Sequence, residues 1–460
     1  MKKSDKLSDL NRRDFLRGSS LSSFMMLMGG VAIQAQDKPK TDDAPTSYKA
    51  SGPSVNCALI GCGAWGREIL KTLARRPNTS VLAVCDTYAA SFKRAKQAAP
   101  NAELIEDYRK VLDNKEVLAV FVATPSHLHR EIVLAALQAG KHVYCEAPLA
   151  STIEDARAIA QAAKAAEKLN FQPGLQNRSD PQLRHLSDFI RTGAMGKTVL
   201  ARSQWHKKQS WRTSAPNPDR EKDLNWRLSK ETSSGLIGEI GIHQIDVGSW
   251  FIMSQPVAVT GYGSIQHWKD GRDVPDTIQA VLEYPGGVVL TYDCTLANSF
   301  DAYYDTYYGT DSAIMIRERK AWMFKEVDSP LLGWEVYARK EAFYKETGIV
   351  LGANATKLKA QGDKPSEGAS LDAETALSYA IEAFLTNSHN LQAGVEDFAA
   401  AFDINDKAAL REYLTTLNKS RLASAGYKEG YEAAVTVIKA NEAIMTGKKV
   451  TFQKEWFELA

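Results

Sequence analysis

From Val55 onward, short unbroken apolar runs alternate with stretches whose apolar residues recur every three to four positions. The runs are Val55–Ile60, 81–85, 117–123 and His142–Cys145, and helical patterns follow over 64–75, 91–99 and 128–139. Strands that show no polar alternation are buried on both faces, so strand runs that each lead into a helix predict a parallel sheet covered on both sides. Past residue 175 the rhythm changes. Residues 198–204, 276–283, 288–294 and Tyr303–Gly309 read as strands of a second sheet, with Tyr303, Tyr304, Tyr307 and Tyr308 as sheet packing. Helical patterns return over 371–387, 395–401 and 427–445, and the Ala-, Gly- and Lys-rich stretch 352–370 reads as an exposed excursion. A chain of 460 residues exceeds what one core serves, so two α/β domains are predicted, 55–174 and 175–460.

The first 54 residues stand apart. Asn11-Arg12-Arg13-Asp14-Phe15-Leu16-Arg17 precedes a moderately apolar stretch to Ala35, in the order of a bacterial twin-arginine (Tat) signal with cleavage after Ala35. Residues 36–54 are polar and Pro/Ser-rich and read as a linker. The expectation is a periplasmic protein exported already folded. A formal charge of +2 without a basic block argues against nucleic acid as a partner, and no apolar run reaches the roughly 20 residues of a spanning helix. Cys57, Cys62, Cys85, Cys145 and Cys294 have the spacing of neither a zinc site nor a disulfide framework, and read as small buried hydrophobes.

The first run ends in Gly61-Cys62-Gly63-Ala64-Trp65-Gly66 and opens a helix, and Asp86 closes the second run twenty residues after the last glycine. This is the dinucleotide-binding arrangement. Gly61 permits a tight turn, Gly63 lets the backbone approach a pyrophosphate, and Gly66 lets helix and strand pack closely. The phosphates meet the helix N-terminus through the amides that begin at Ala64 and Trp65. Asp86 accepts hydrogen bonds from ribose hydroxyls and repels a 2′-phosphate, so NAD is the expected cofactor.

Three further segments carry a resemblance. They are Ala123-Thr124-Pro125-Ser126-His127-Leu128-His129, then Gly140-Lys141-His142-Val143-Tyr144-Cys145-Glu146-Ala147-Pro148-Leu149, and much later the stretch from Gly235 through Glu239 and His243 to Asp246. Together they resemble the Gfo/Idh/MocA (glucose–fructose oxidoreductase/inositol dehydrogenase) family. The resemblance implies a Rossmann domain followed by an α/β domain with an open, mainly antiparallel sheet that carries the substrate site and often joins subunits into a homo-oligomer. It also implies that Thr124, Pro125, Ser126 and His129 belong to the cofactor-binding segment, with Glu146 at the nicotinamide end. The chain departs from the family where Ala147 replaces the lysine that ordinarily approaches the reacting hydroxyl, and where Glu239 stands for an aspartate.

Oxidising a carbinol by hydride transfer needs a base within hydrogen-bond reach of its O–H. His243 is the candidate, with the ordinary imidazole pKa of ~6.5, and Glu239 four residues earlier is expected to orient it across a helix face. Asp246 is expected to be a structural hydrogen-bond partner within that helix. No metal site is expected, since no second His or Cys pair accompanies these residues. His206, Lys207 and Trp211, in a segment that mixes aromatics with cations, are candidate sugar contacts, with Gln176, Asn177 and Arg178 as a further pocket segment. The leading reading is an NAD-dependent oxidoreductase acting on a secondary hydroxyl of a sugar, glycoside or cyclitol with tightly held cofactor. Two alternatives are an NAD-dependent glycosidase working through transient C3 oxidation, which Ala147 favours, and a non-catalytic sugar-binding protein.

Overall fold

The computed structural model describes residues 54–317, 319–343, 346–351 and 375–459. The leader, all but the last residue of the linker, and the 352–370 excursion lie outside the described residues.

Six parallel strands form the first sheet: β1 (Val55–Ile60), β2 (Thr79–Cys85), β3 (Glu103–Ile105), β4 (Ala119–Val122), β5 (His142–Cys145) and β6 (Phe171–Pro173), in the order β3-β2-β1-β4-β5-β6. The helices between them are α1 (Ala64–Ala74), α2 (Phe92–Ala98), α3 (Tyr108–Asp113), α4 (His129–Gln138) and α5 (Ile153–Ala165). Strand order reverses between β1 and β4, and beyond the carboxyl ends of such a pair a crevice opens. The β1 residues are buried apart from half-buried Asn56, which explains their lack of polar alternation.

The second sheet takes its strands from β7 (Thr198–His206), β8 (Ala258–Ser264), β9 (Thr277–Glu283), β10 (Val289–Thr295), β11 (Tyr303–Gly309), β12 (Ser312–Arg317), β13 (Lys320–Lys325), β14 (Lys340–Phe343), β15 (Glu346–Leu351) and β16 (Val450–Thr451). Their order is β14-β15-β13-β12-β11-β7-β10-β9-β8-β16. Every pairing is antiparallel except β10 with β7. Strand β9 alternates buried and exposed positions, as a sheet with one covered and one open face requires. The helices of this part are α6 (Pro181–Arg191), α7 (Pro218–Leu224) and α8 (Ile242–Ile252), followed by α9 (Ala376–Ala401), α10 (Lys407–Leu417) and α11 (Tyr427–Thr446).

The last long helices return to the first domain. Ile381 and Phe384 of α9 share a core with Leu59, Leu70 and Tyr144, and Tyr431, Ala434 and Val435 of α11 share one with Ala58, Val120 and Ile159. The Phe384 ring lies 5.1 Å from Phe121 and 5.7 Å from Tyr144, both edge-on. Polar groups fix the register of α9. Asn170 Nδ2 donates to Ser388 Oγ at 2.9 Å, Gln172 Nε2 donates to the Ala380 carbonyl at 2.8 Å, and buried Arg76 pairs with Glu382. A division at residue 174 thus separates the two sheets, while the Rossmann unit recruits its outer helices from the far end of the chain.

Candidate active site

The glycine motif builds the crevice floor. Gly61 has φ +96°, and a Cβ there would sit 2.6 Å from the Ala123 carbonyl group. A Cβ on Gly66 would stand 2.0 Å from the Gly61 carbonyl oxygen, so helix α1 rests directly on the turn beneath it. A Cβ on Gly63 would meet nothing within 4 Å. Gly63 and Ala64 are exposed, and no side chain caps the helix that begins there, which leaves its first N–H groups facing open space. Asp86 Oδ2 accepts from the Cys62 amide at 2.8 Å and Oδ1 from the Tyr88 amide at 2.7 Å. Each oxygen keeps lone-pair capacity for a ribose hydroxyl. Asp86→Ala should weaken NAD binding about tenfold or more, the scale of hydrogen bonds to a charged acceptor, and relax discrimination against NADP. Titrating the two cofactors checks this, and equal binding of both by the unaltered chain would overturn the argument.

At the other end, Glu146 is buried and Gly174 presses on it, since a Cβ on Gly174 would lie 2.6 Å from Glu146 Oε2. Burial pushes the Glu146 carboxyl up to about 7, against the opposing pull of Trp65, the Ala147 amide and Tyr144. Thr124 Oγ1 and His127 Nδ1, just past β4, are buried without hydrogen-bond partners. Such orphaned donors and acceptors fit the riboside and carboxamide of a nicotinamide dinucleotide, which carries both kinds of group.

The second domain supplies the opposite wall. Residues Ile237–Gly241 form a π-turn that runs into α8, a distortion frequent at functional sites. It places Glu239 against the Rossmann loop. Ser126 Oγ donates to Glu239 Oε1 at 3.1 Å, the Ser234 amide to the same oxygen at 3.4 Å, and Arg227 Nε to Oε2 at 3.3 Å. His243 has a buried Nδ1 without a partner, and burial draws its pKa down to about 4, so the ring is neutral near pH 7. It lines a cleft of about 1090 Å³ with Trp65, Trp205, Gln244, Tyr303 and Asp305. Asp305 is buried, accepts from Gln244 Nε2 at 2.9 Å, and is raised to about 6 by burial. Among the described residues no group of three or more His, Cys, Asp or Glu could hold a metal ion.

Comparison with known proteins adds the family. Residues 55–174 match the model of an oxidoreductase family with an NAD-binding Rossmann fold, and residues 183–314 match the Gfo/Idh/MocA C-terminal domain. The chain belongs to the Gfo/Idh/MocA oxidoreductase family. Inositol 2-dehydrogenase 2 of Saccharopolyspora erythraea is 28% identical over 238 residues, 52% of this chain and 65% of that protein. Levoglucosan dehydrogenase of Pseudarthrobacter phenanthrenivorans is 29% identical over 210 residues, 41% of this chain and 52% of that protein. The chain therefore matches less than two thirds of the length of these relatives. The fold is shared with a levoglucosan dehydrogenase solved with NADH and levoglucosan (TM-score 0.64, 18% identity, 87% of this chain and 100% of that one). It is also shared with the aldose–aldose oxidoreductase of Caulobacter crescentus (TM-score 0.59, 18% identity, 87% and 100%).

Within this Gfo/Idh/MocA chain several expected roles are corrected. Glu239 does not orient His243: the π-turn and the competing Ser126 and Arg227 turn the carboxylate to the cofactor loop. His129 is fully buried, with Nε2 2.9 Å from the Thr124 carbonyl and Nδ1 3.1 and 3.2 Å from those of Pro148 and Leu149. It ties two loops together and presents no nitrogen to a dinucleotide. Arg178 is held bidentate by Asp246, at 2.8 Å for both bonds, and lies 4.9 Å from the Trp250 ring. It is a structural cation, and the partner of Asp246 lies outside that residue's own helix. Arg178→Ala strands a buried carboxylate and should cost about 3–5 kcal/mol of unfolding free energy. A loss below about 1 kcal/mol in a denaturant titration would refute that reading.

His206 faces away from the cleft. Its strand neighbour Trp205 lines the cleft, so alternation sends His206 to the other side of the sheet, where Nε2 meets Asp293 at 2.5 Å. Lys207 is exposed, and Trp211 is half-buried against the second-domain core with the Arg227 guanidinium 5.8 Å from its ring. Neither these three nor Arg178 lines the cleft. Gln176 and Asn177 do, and Asn177 Nδ2 donates to the His243 carbonyl at 3.3 Å. The sequence reading missed Asp305, Gln244, Trp205 and Tyr303. The available signal was an aspartate at an inward position of β11, two residues from the core residue Tyr307.

Proposed function

We propose that the chain oxidises a secondary hydroxyl of a sugar, glycoside or cyclitol with NAD that stays bound through turnover. The observation that carries this reading is the His243 imidazole on the wall of a cleft that also reaches Trp65 of the dinucleotide motif. NAD, when bound, supplies the acceptor for the carbinol hydride. His243 takes the hydroxyl proton, and no protein group is hydrogen-bonded to its Nδ1. Asp305, fixed by Gln244, accepts hydrogen bonds from neighbouring hydroxyls, and the Trp205 ring lies against the apolar face of the sugar. Glu239 and Arg227 hold the Ser126 loop at the nicotinamide end. Ala147, packed half-buried against the second-domain core, carries no proton.

That substitution favours a second reading, a glycosidase that oxidises C3 transiently, eliminates the aglycone, adds water and returns the hydride. Mass analysis of products from glycosides and free sugars, with no cofactor added, separates the two. A product two mass units lighter than substrate establishes net oxidation, and a cleaved glycoside with an unoxidised sugar establishes redox cycling. No product from any substrate leaves the sugar-binding reading. Export is proposed to depend on Arg12 and Arg13: lysines at both should leave the protein in the cytoplasm, and unchanged export would overturn the twin-arginine reading. The open sheet face, where Leu200, Tyr262 and Val281 are exposed, is proposed to receive a second copy of the chain.

A further inference from the structure

We infer that residues 217–228 of the second domain form the outer wall of the dinucleotide site and hold the cofactor at both of its ends. The inference rests on the proposal that NAD is retained through turnover, and assigns that retention to particular residues.

The Rossmann domain provides one side of the crevice, from Asp86 at the end of β2, past Gly63, to Ser126 beyond β4. The segment around α7 meets both extremities. At the adenosine end, Arg220 donates to the carbonyl of Thr87, and its guanidinium lies 5.7 Å from the Tyr88 ring. Thr87 and Tyr88 directly follow Asp86. At the nicotinamide end, the Trp226 ring lies 6.0 Å from His127, and Arg227 donates to Glu239 Oε2, whose carboxylate also receives Ser126 Oγ.

The segment spans this distance as one stiff unit. Asn217 caps α7 by accepting from the Arg220 amide at 3.1 Å, and Pro218 occupies its first turn. Asn225 closes the loop on itself, accepting from the Thr213 amide at 2.7 Å and donating to the Thr213 carbonyl at 2.9 Å. Arg212 pairs with Glu221 and donates to the Asp270 carbonyl at 2.7 Å, which anchors the loop to the second domain. Arg220 and Arg227 thereby stand at the segment's two ends, Arg220 on the Thr87 carbonyl and Arg227 on the Glu239 carboxylate. A cofactor lying between Gly63 and this wall leaves only when the contacts at Thr87 and Ser126 open.

The test is release of NADH from the loaded full-length protein, followed by its fluorescence after dilution, for the unaltered chain, Arg220→Ala and Arg220→Lys. Loss of a charge-assisted hydrogen bond should speed release about tenfold or more in Arg220→Ala. Lysine keeps a donor for the Thr87 carbonyl and should release at an intermediate rate. Arg220 is partly exposed, so the melting temperature of the cofactor-free protein should be unchanged, which separates loss of the wall from loss of the fold. A release rate in Arg220→Ala within twofold of the unaltered chain overturns the inference. Release by the unaltered chain on every turnover would instead overturn the retained-cofactor proposal, while the ratio between variants still decides the role of the wall.

Discussion

Alanine at His243 should lower kcat by about 10²- to 10⁴-fold, the usual contribution of a positioned general base, while bound NAD remains with the protein. The two outcomes separate because His243 stands on α8 of the second-domain wall, whereas Asp86 and the glycine turn belong to the Rossmann domain. The pH profile sharpens the test. A base must be unprotonated to act, and burial draws the His243 pKa down to about 4. The acid limb of kcat/KM assigned to this ring should therefore fall toward pH 4, below the ordinary histidine value of ~6.5. Glu239→Gln should leave that limb in place, since the Glu239 carboxylate bonds Ser126 and Arg227. Turnover that survives in His243→Ala would remove the imidazole from the chemistry. A limb that moved with Glu239→Gln would restore the coupling that the π-turn breaks.

What the sequence made legible follows from how local each signal is. The parallel sheet was readable because β1, β4 and β5 are buried runs, and the glycine turn because its spacing is set by a ligand and by a backbone contact between residues only five apart. Signals spread over the chain were not. Strands β12 to β15 are short, and several carry charged residues at their ends, so they lack a clean alternation. Helix α9 runs unbroken over residues that the periodicity divided in two, because buried Glu382, Asn387 and Ser388 interrupt its apolar stripe while bonding the Rossmann edge or loops beside it. The Arg178–Asp246 pair joins residues 68 apart in sequence, and no periodicity distinguishes a cation so consumed from one free to bind sugar. His206 was misplaced for a simpler reason. Its neighbour faces the cleft, and one step along a strand reverses the face. Glu239 and His243 were singled out together, but residues four apart share a helix face only in a regular α-helix, and the π-turn that holds Glu239 is invisible to spacing.

Alanine at Gly66 and alanine at Gly63 should give opposite kinds of damage three residues apart. At Gly66 the new methyl would stand 2.0 Å from the Gly61 carbonyl oxygen and 3.6 Å from Ala123 Cβ. Neither neighbour can retreat, because the Gly61 amide is bonded to the Cys85 carbonyl and the Ala123 amide to that of Ile60, both at 2.8 Å. Helix α1 must lift, and with it Ile69, Leu70 and Leu73, which are fully buried in the Rossmann core. Overpacking of this kind costs typically about 1–3 kcal/mol and here should reach the upper end, lowering the melting temperature of the cofactor-free protein by about 5–10 °C. NAD affinity should fall with it, as the helix N-terminus leaves its place. At Gly63 the methyl meets no protein atom within 4 Å, so the cofactor-free protein should melt as before. It would nevertheless occupy the space through which a pyrophosphate approaches the first amides of α1, and NAD affinity should fall about 100-fold, on the scale of several lost charge-assisted hydrogen bonds. Calorimetric melting and NAD titration of the two variants read both quantities. If Gly63→Ala binds NAD as tightly as the unaltered chain, the dinucleotide does not lie over this turn, and the roles given to Asp86, Ser126 and the wall opposite them fall together.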